Sequence, residues 1–159
     1  RQRQMCIRDR NYNACRISEF LDLKKENVHL KEQYFDVVAA KTENGIRKVP
    51  IADKLLPFYE AWFERSPCEY LLCTTEGQHL DYFNYCDTYW DPLMEEYDMK
   101  HTPHDTRHTC ISMMADAGVA PTIQKKIAGH SGAMSLTERV YTHLDIQTLI
   151  DGINMICPV

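Results

Sequence analysis

The spacing of apolar residues changes character twice along this chain. Over residues 12–23, Ala14, Ile17, Phe20 and Leu21 recur at helical spacing and predict a helix. Residues 27–30 are a candidate short strand, and residues 34–40, rich in Phe and Val, predict a second. Asn44-Gly45 is a strong hairpin signal, and residues 46–51 return as a strand that Pro50 brings to its end. Helical spacing then takes over. Residues 52–63 carry Leu55, Leu56, Tyr59 and Phe63 on one face, and Ser66-Pro67 breaks the pattern. Leu71, Leu72 and Cys73 suggest a short extended piece before a turn at Glu76-Gly77. Residues 82–97 form a helix with Trp90 and Leu93. Thr102-Pro103 opens another that runs to Ala117 and stops at Gly118, and Pro121 starts the next, which stops at Gly129. A short helix follows over 136–143. Residues 146–156 end the series with a stripe of Ile146, Leu149, Ile150, Ile153 and Ile156. One helix, a sheet and then many helices make an α+β fold, mainly helical, with a small antiparallel β-sheet near the N-terminus.

Composition narrows the class. The 159 residues, 44% hydrophobic and 26% charged, suit one soluble core. No stretch approaches the roughly 20 apolar residues that span a bilayer, and no secretory signal is apparent. A cytoplasmic protein without a membrane partner is the expectation. Seven cysteines, an odd number without a C-x-x-C pair, predict free thiols rather than a disulfide framework or zinc ribbon. The net charge of -5 speaks mildly against a nucleic-acid partner, but its distribution weakens that objection. Residues 60–98 hold ten acidic side chains against one Arg, whereas residues 100–143 hold five Lys or Arg, three Asp or Glu and five His. One half can face solvent while the other faces an anion. Residues 1–10 lack apolar periodicity and resemble a translated sequencing-adaptor end, so they are expected to be a non-native leader before a domain spanning 11–159.

The densest chemistry lies in His101-Thr102-Pro103-His104-Asp105-Thr106-Arg107-His108. His104 and Arg107, three apart on a helix, share a face. Arg107 is a permanent cation whose planar fork suits a phosphate, and His104 exchanges protons near neutral pH. Gly129-His130 places a His at a helix end, and Tyr141 follows eleven residues later, within Tyr141-Thr142-His143.

H-x-x-R, then G-H, then a Tyr in Y-T-H resembles the C-terminal signature of the tyrosine recombinase (phage integrase) family. Upstream, Arg16-Ile17-Ser18-Glu19 resembles that family's first arginine motif, R-x-S-E, and Lys41 precedes the Asn44-Gly45 turn where the family keeps a lysine in its hairpin. Each motif is weak alone, but six in register, from residue 12 to 156, are specific. The resemblance implies a catalytic domain with six catalytic residues: Arg16, Lys41, His104, Arg107, His130 and Tyr141. Arg16 and Arg107 would clamp the non-bridging oxygens of a DNA phosphodiester, with His130 as a further donor. Tyr141 would attack phosphorus, giving a 3′-phosphotyrosyl enzyme and a free 5′-hydroxyl; bond energy is kept, so neither ATP nor a cofactor is needed. The resemblance also gives Lys41 the general-acid role and His104 the general-base role, with no metal. Its partners are double-stranded DNA and a homo-tetramer on DNA, docked through the C-terminal helix 146–156.

Other readings compete. Arg16 can be a plain salt-bridge partner of Glu19, Lys41 an edge-strand lysine with Lys48 as a rival on the return strand, His130 a helix-end histidine, and Tyr141 a core aromatic. His104, Asp105 and His108 could form a zinc-dependent hydrolase site, with His101 nearby. A non-catalytic DNA-binding relic is a further alternative. The family also carries helices upstream of its first arginine that this sequence lacks. An exposed apolar patch, weak DNA binding and weak or no activity are therefore expected of residues 11–159 alone. Helix 146–156 can fold back onto its own core; if instead it is exchanged between subunits, it should pack loosely in a lone chain.

Overall fold

The computed structural model describes residues 12–38, 46–129 and 144–156. The leader at 1–10, the Asn44-Gly45 turn and the helix expected at 136–143 lie outside the described residues.

The first helix, α1, spans Ile17–Leu21, five residues later at its start than the apolar spacing predicts. Its delay has a local cause. Ala14 is held at φ 49°, in the left-handed region, and Asn13 accepts a hydrogen bond from the Cys15 N–H at 3.2 Å. Arg16 is consequently the extended N-cap residue instead of a residue within the helix, and Glu19 accepts from its backbone N–H at 2.8 Å.

A three-stranded antiparallel sheet follows, in the order β1 (Val28–His29), β2 (Tyr34–Val37), β3 (Arg47–Pro50). The β2–β3 register pairs Phe35 with Val49 and Val37 with Arg47. Alternation sends Phe35, Val37, Arg47 and Val49 inward, while Lys48 faces solvent.

A 3-10 turn at Asp53–Leu55 leads into α2 (Leu56–Arg65), where Tyr59 and Trp62 are buried. Phe20, Phe35, Tyr59 and Trp62 form the aromatic centre of the core, with ring centroids from 5.4 to 6.4 Å apart. Such pairs add roughly 0.5–1.5 kcal/mol each beyond burial. The helix expected at 82–97 is present but not uniform: α3 (Tyr82–Tyr85), a π-helical turn (Cys86–Trp90) and α4 (Asp91–Glu96). Pro92 accounts for the widened turn, since it has no N–H for the carbonyl one α-turn back and its ring crowds that carbonyl. This layer has its own core of Ile17, Leu21, Leu80, Tyr85, Trp90, Leu93 and Met94.

Helix α5 (Pro103–Asp116) opens with a capping box in which Asp105 accepts from the Thr102 N–H at 2.7 Å. Helix α6 (Pro121–Ala128) ends at Gly129, and α7 (Ile146–Asn154) completes the fold. Both α6 and α7 pack on β3 and on each other. Gly152 permits that close approach, because a Cβ there would lie 2.8 Å from an Ile123 methyl.

The expectation that the C-terminal helix packs loosely is corrected. Leu149, Ile150, Ile153 and Ile156 are buried, and Asn154 Oδ1 accepts from the Asp53 N–H at 2.9 Å. Its apolar stripe finds the protein's own sheet and α6 within reach, and burial there removes that stripe from water. Tyr82 and Phe83, the latter 81% exposed, lie on the helix beside α1. Among the described residues, Cys15, Cys68, Cys73, Cys86 and Cys110 form no disulfide, and no helix is long and apolar enough to cross a membrane.

Candidate active site

Three segments meet where α1 begins, α5 passes and α6 ends. Arg107 lies on the inward face of α5 and is 2% exposed. Its Nη1 donates to the Ala14 carbonyl and its Nη2 to the Ala128 carbonyl, both at 2.6 Å. One guanidinium thus ties the segment just before Arg16 to the last turn of α6, just before Gly129 and His130. The kinked backbone at Ala14 turns that carbonyl inward; a helix running through residues 12–16 would have used it internally.

Arg16 sits at the mouth of this cluster. Its Nη1 donates to Glu19 Oε1 at 2.8 Å, yet its side chain is 46% exposed. The salt-bridge and phosphate-clamp readings are therefore compatible, since one edge of the guanidinium is held and the rest faces outward. The positive charges of Arg16 and Arg107 both act on His104. Desolvation, His108 and these two arginines lower the His104 pKa from its usual 6.5, against a smaller opposite effect of Asp105. A neutral imidazole able to accept a proton at pH 7 is the result.

The buried member not expected as a site residue is Arg47. It occupies an inward position of β3 with a side chain 3% exposed. Its Nη2 and Nη1 donate to Glu19 Oε2 at 2.9 Å and Oε1 at 3.3 Å, and its Nε donates to the Ile127 carbonyl at 2.8 Å. Burial pushes the Glu19 carboxyl up, but hydrogen bonds and charge from Arg47, with help from Arg16, bring it below its ordinary value. Among the described residues, Arg16, Arg47 and Arg107 gather around the carboxylate of Glu19 and the end of α6. Desolvation and the neighbouring Arg16 and Arg47 push Arg107 down to about 10. It still carries its proton at neutral pH, so the cost of this buried charge is relieved when an anion arrives. One signal could have revealed Arg47: in strand alternation it is in phase with Val49, on the inward face, where a charge needs partners.

Of the six expected catalytic residues, Arg16, His104 and Arg107 come together. Lys41, His130 and Tyr141 lie outside the described residues. In sequence, Lys41 falls in the connection between β2 and β3, and His130 directly follows Gly129. Lys48, the rival lysine, faces away from Arg47; its Nζ lies over the Tyr34 ring, 4.3 Å from the centroid. Zinc chemistry at the histidines is not favoured. The Asp105 carboxylate caps α5, the His104 and His108 rings meet edge to face at 4.7 Å, and no group of three metal-ligating side chains is assembled among the described residues. A cleft of about 720 Å³ between α2 and the 66–75 segment, lined by Phe58, Trp62, Leu72 and Tyr89, contains none of the expected site residues.

The sequence profile of the phage integrase family matches residues 11–148. The chain belongs to that family. A XerC-like tyrosine recombinase from Caldanaerobacter subterraneus subsp. tengcongensis is 29% identical over 119 residues, covering 65% of this chain and 30% of that protein. The fold matches the Tn1549 transposon integrase solved in complex with circular intermediate DNA, with TM-score 0.73, 20% identity and coverage of 92% of this chain and 57% of the other. It also matches XerA recombinase, with TM-score 0.68, 24% identity and coverage of 94% and 56%. The chain therefore spans under a third of its curated relative and little more than half of the solved chains. The shared fold is the mainly helical α+β architecture of those solved recombinase chains.

Proposed function

We propose that this protein is a site-specific recombinase or integrase whose domain over residues 11–159 cleaves and rejoins double-stranded DNA through a covalent 3′-phosphotyrosyl bond to Tyr141. The observation that carries this reading is the convergence of Arg16 and Arg107 beside a neutral His104. A phosphodiester anion suits this group of arginines. In the reaction, the Tyr141 hydroxyl oxygen bonds to phosphorus while the bond from phosphorus to the 5′-oxygen breaks. His104 takes the tyrosine proton, and Lys41 delivers one to the leaving 5′-oxygen. Arg16 and Arg107, joined by His130, hold the charge that grows on the non-bridging oxygens. Religation reverses these steps and consumes no ATP, because the phosphotyrosyl bond keeps the phosphodiester energy. The arginines provide the charge stabilisation that a metal would otherwise supply.

A homo-tetramer on DNA is part of the same proposal, in a cytoplasmic protein of a phage or other mobile element. Helix 146–156 is committed to its own core, so an exchange through it would expose Leu149, Ile150 and Ile153. The test is to incubate the protein with a pool of nicked duplexes of randomised sequence and to collect DNA that stays attached after denaturation by detergent. An adduct lost in Tyr141→Phe supports the proposal. An adduct that survives this substitution refutes it.

A further inference from the structure

Arg47 is placed to act on two elements of the site at once. Its fork grips both oxygens of Glu19, and the Glu19 carboxylate in turn receives the Arg16 guanidinium and the Arg16 backbone N–H. Its Nε holds the Ile127 carbonyl in the last turn of α6. Its guanidinium also lies flat against Gly129, where a Cβ would come within 2.9 Å of Cζ, Nε and Nη1. Gly129 is at φ +74°, so backbone conformation and close approach both demand glycine there. Arg107 takes the next carbonyl of the same turn, that of Ala128. Two arginines from different elements thus fix consecutive carbonyls at the end of a helix whose own cap leaves them open.

We infer that Arg47 is a positioning residue for the recombination reaction, aligning Arg16 through Glu19 and the His130-bearing end of α6 through Ile127 and Gly129. This rests on the phosphodiester reading of the site. Arg47 is itself 7% exposed, packed against Glu19 and Gly129, so its action on the site runs through those neighbours. A lysine keeps its charge but cannot span the Glu19 carboxylate and the Ile127 carbonyl together, since it lacks the planar fork. Arg47→Lys therefore separates alignment from charge.

The experiment uses two readouts on the protein and its Arg47→Lys variant. The first is single-turnover adduct formation with a duplex recovered from the randomised pool, resolved into amplitude and rate, alongside DNA affinity. The expected result is a rate per active molecule lowered roughly tenfold or more, the low end for loss of a charge-assisted hydrogen bond, with affinity nearly unchanged. A residue that merely stabilises the fold lowers amplitude and leaves the rate intact, and that outcome overturns the inference. The second readout is the NMR order of the Arg16 Nε–H group without DNA, expected to loosen in Arg47→Lys. Unchanged order overturns the inference whatever the activity. Loosening of Arg16 together with an adduct that survives Tyr141→Phe sinks the recombinase reading alone. Should Arg47→Lys fail to fold, Glu19→Gln reads the same link, and an Arg16 as ordered as in the unmodified protein again overturns the inference.

Discussion

Replacing Gly129 by alanine should cost far more than replacing Gly118, although the two share nearly the same backbone. Both have positive φ, +74° and +76°, and both follow the end of a helix. A left-handed alanine costs about 1–2 kcal/mol, of which the lost freedom of the unfolded chain returns about 0.4–1 kcal/mol. Gly118→Ala should stop there, a net loss on the order of 1 kcal/mol, because its added Cβ meets nothing within 4 Å. At Gly129 the Cβ lies 2.9 Å from three atoms of a guanidinium held by Glu19 and the Ile127 carbonyl. Either the end of α6 shifts or Arg47 gives up a charge-assisted hydrogen bond, adding about 1.5–3 kcal/mol. Urea denaturation of the two variants, read as midpoint at constant slope, measures the difference directly. A gap of about 1.5–3 kcal/mol is expected. Equal losses would refute the close packing of Arg47 on Gly129, and the positioning role with it.

Three other outcomes follow from the same geometry. The Glu19 pKa is lowered from 4.5 in the folded state, so its pairing contributes stability above that pH and loses it as pH falls through the lower folded value; Glu19→Gln should flatten this acid limb in denaturant titrations, and an unchanged limb would discredit the pairing. The His104 pKa is lowered from 6.5, so the acid limb of adduct formation should lie below that pH and disappear in His104→Gln; a limb at or above 6.5 in the unmodified protein counts against His104 as base. Ile153→Ala, at a fully buried position of α7, should destabilise the lone chain by about 2–5 kcal/mol, whereas a neutral change would revive a detachable helix.

Much of this protein is legible in its sequence. The change from alternation to helical spacing after residue 51 gives the α+β order, because each element must bury one face. Thr102-Pro103, Gly118, Pro121 and Gly129 mark helix ends by local chemistry that acts wherever the chain goes. His104 and Arg107 share a face through helix geometry alone. Sequence cannot reveal what depends on contacts between distant segments. Arg16 caps α1 instead of lying within it, because Asn13 and a left-handed Ala14 divert the chain and Arg107, 93 residues along from Ala14, claims the freed carbonyl. Helix α7 folds back because Gly152 lets Ile123 close in, and an apolar stripe alone does not say which surface will cover it. Arg47 looks like one more strand cation until β3 meets Glu19 and the end of α6. The energy of a buried charge is set by the partners that tertiary folding brings to it, and those partners lie 28 and 80 residues away in the chain.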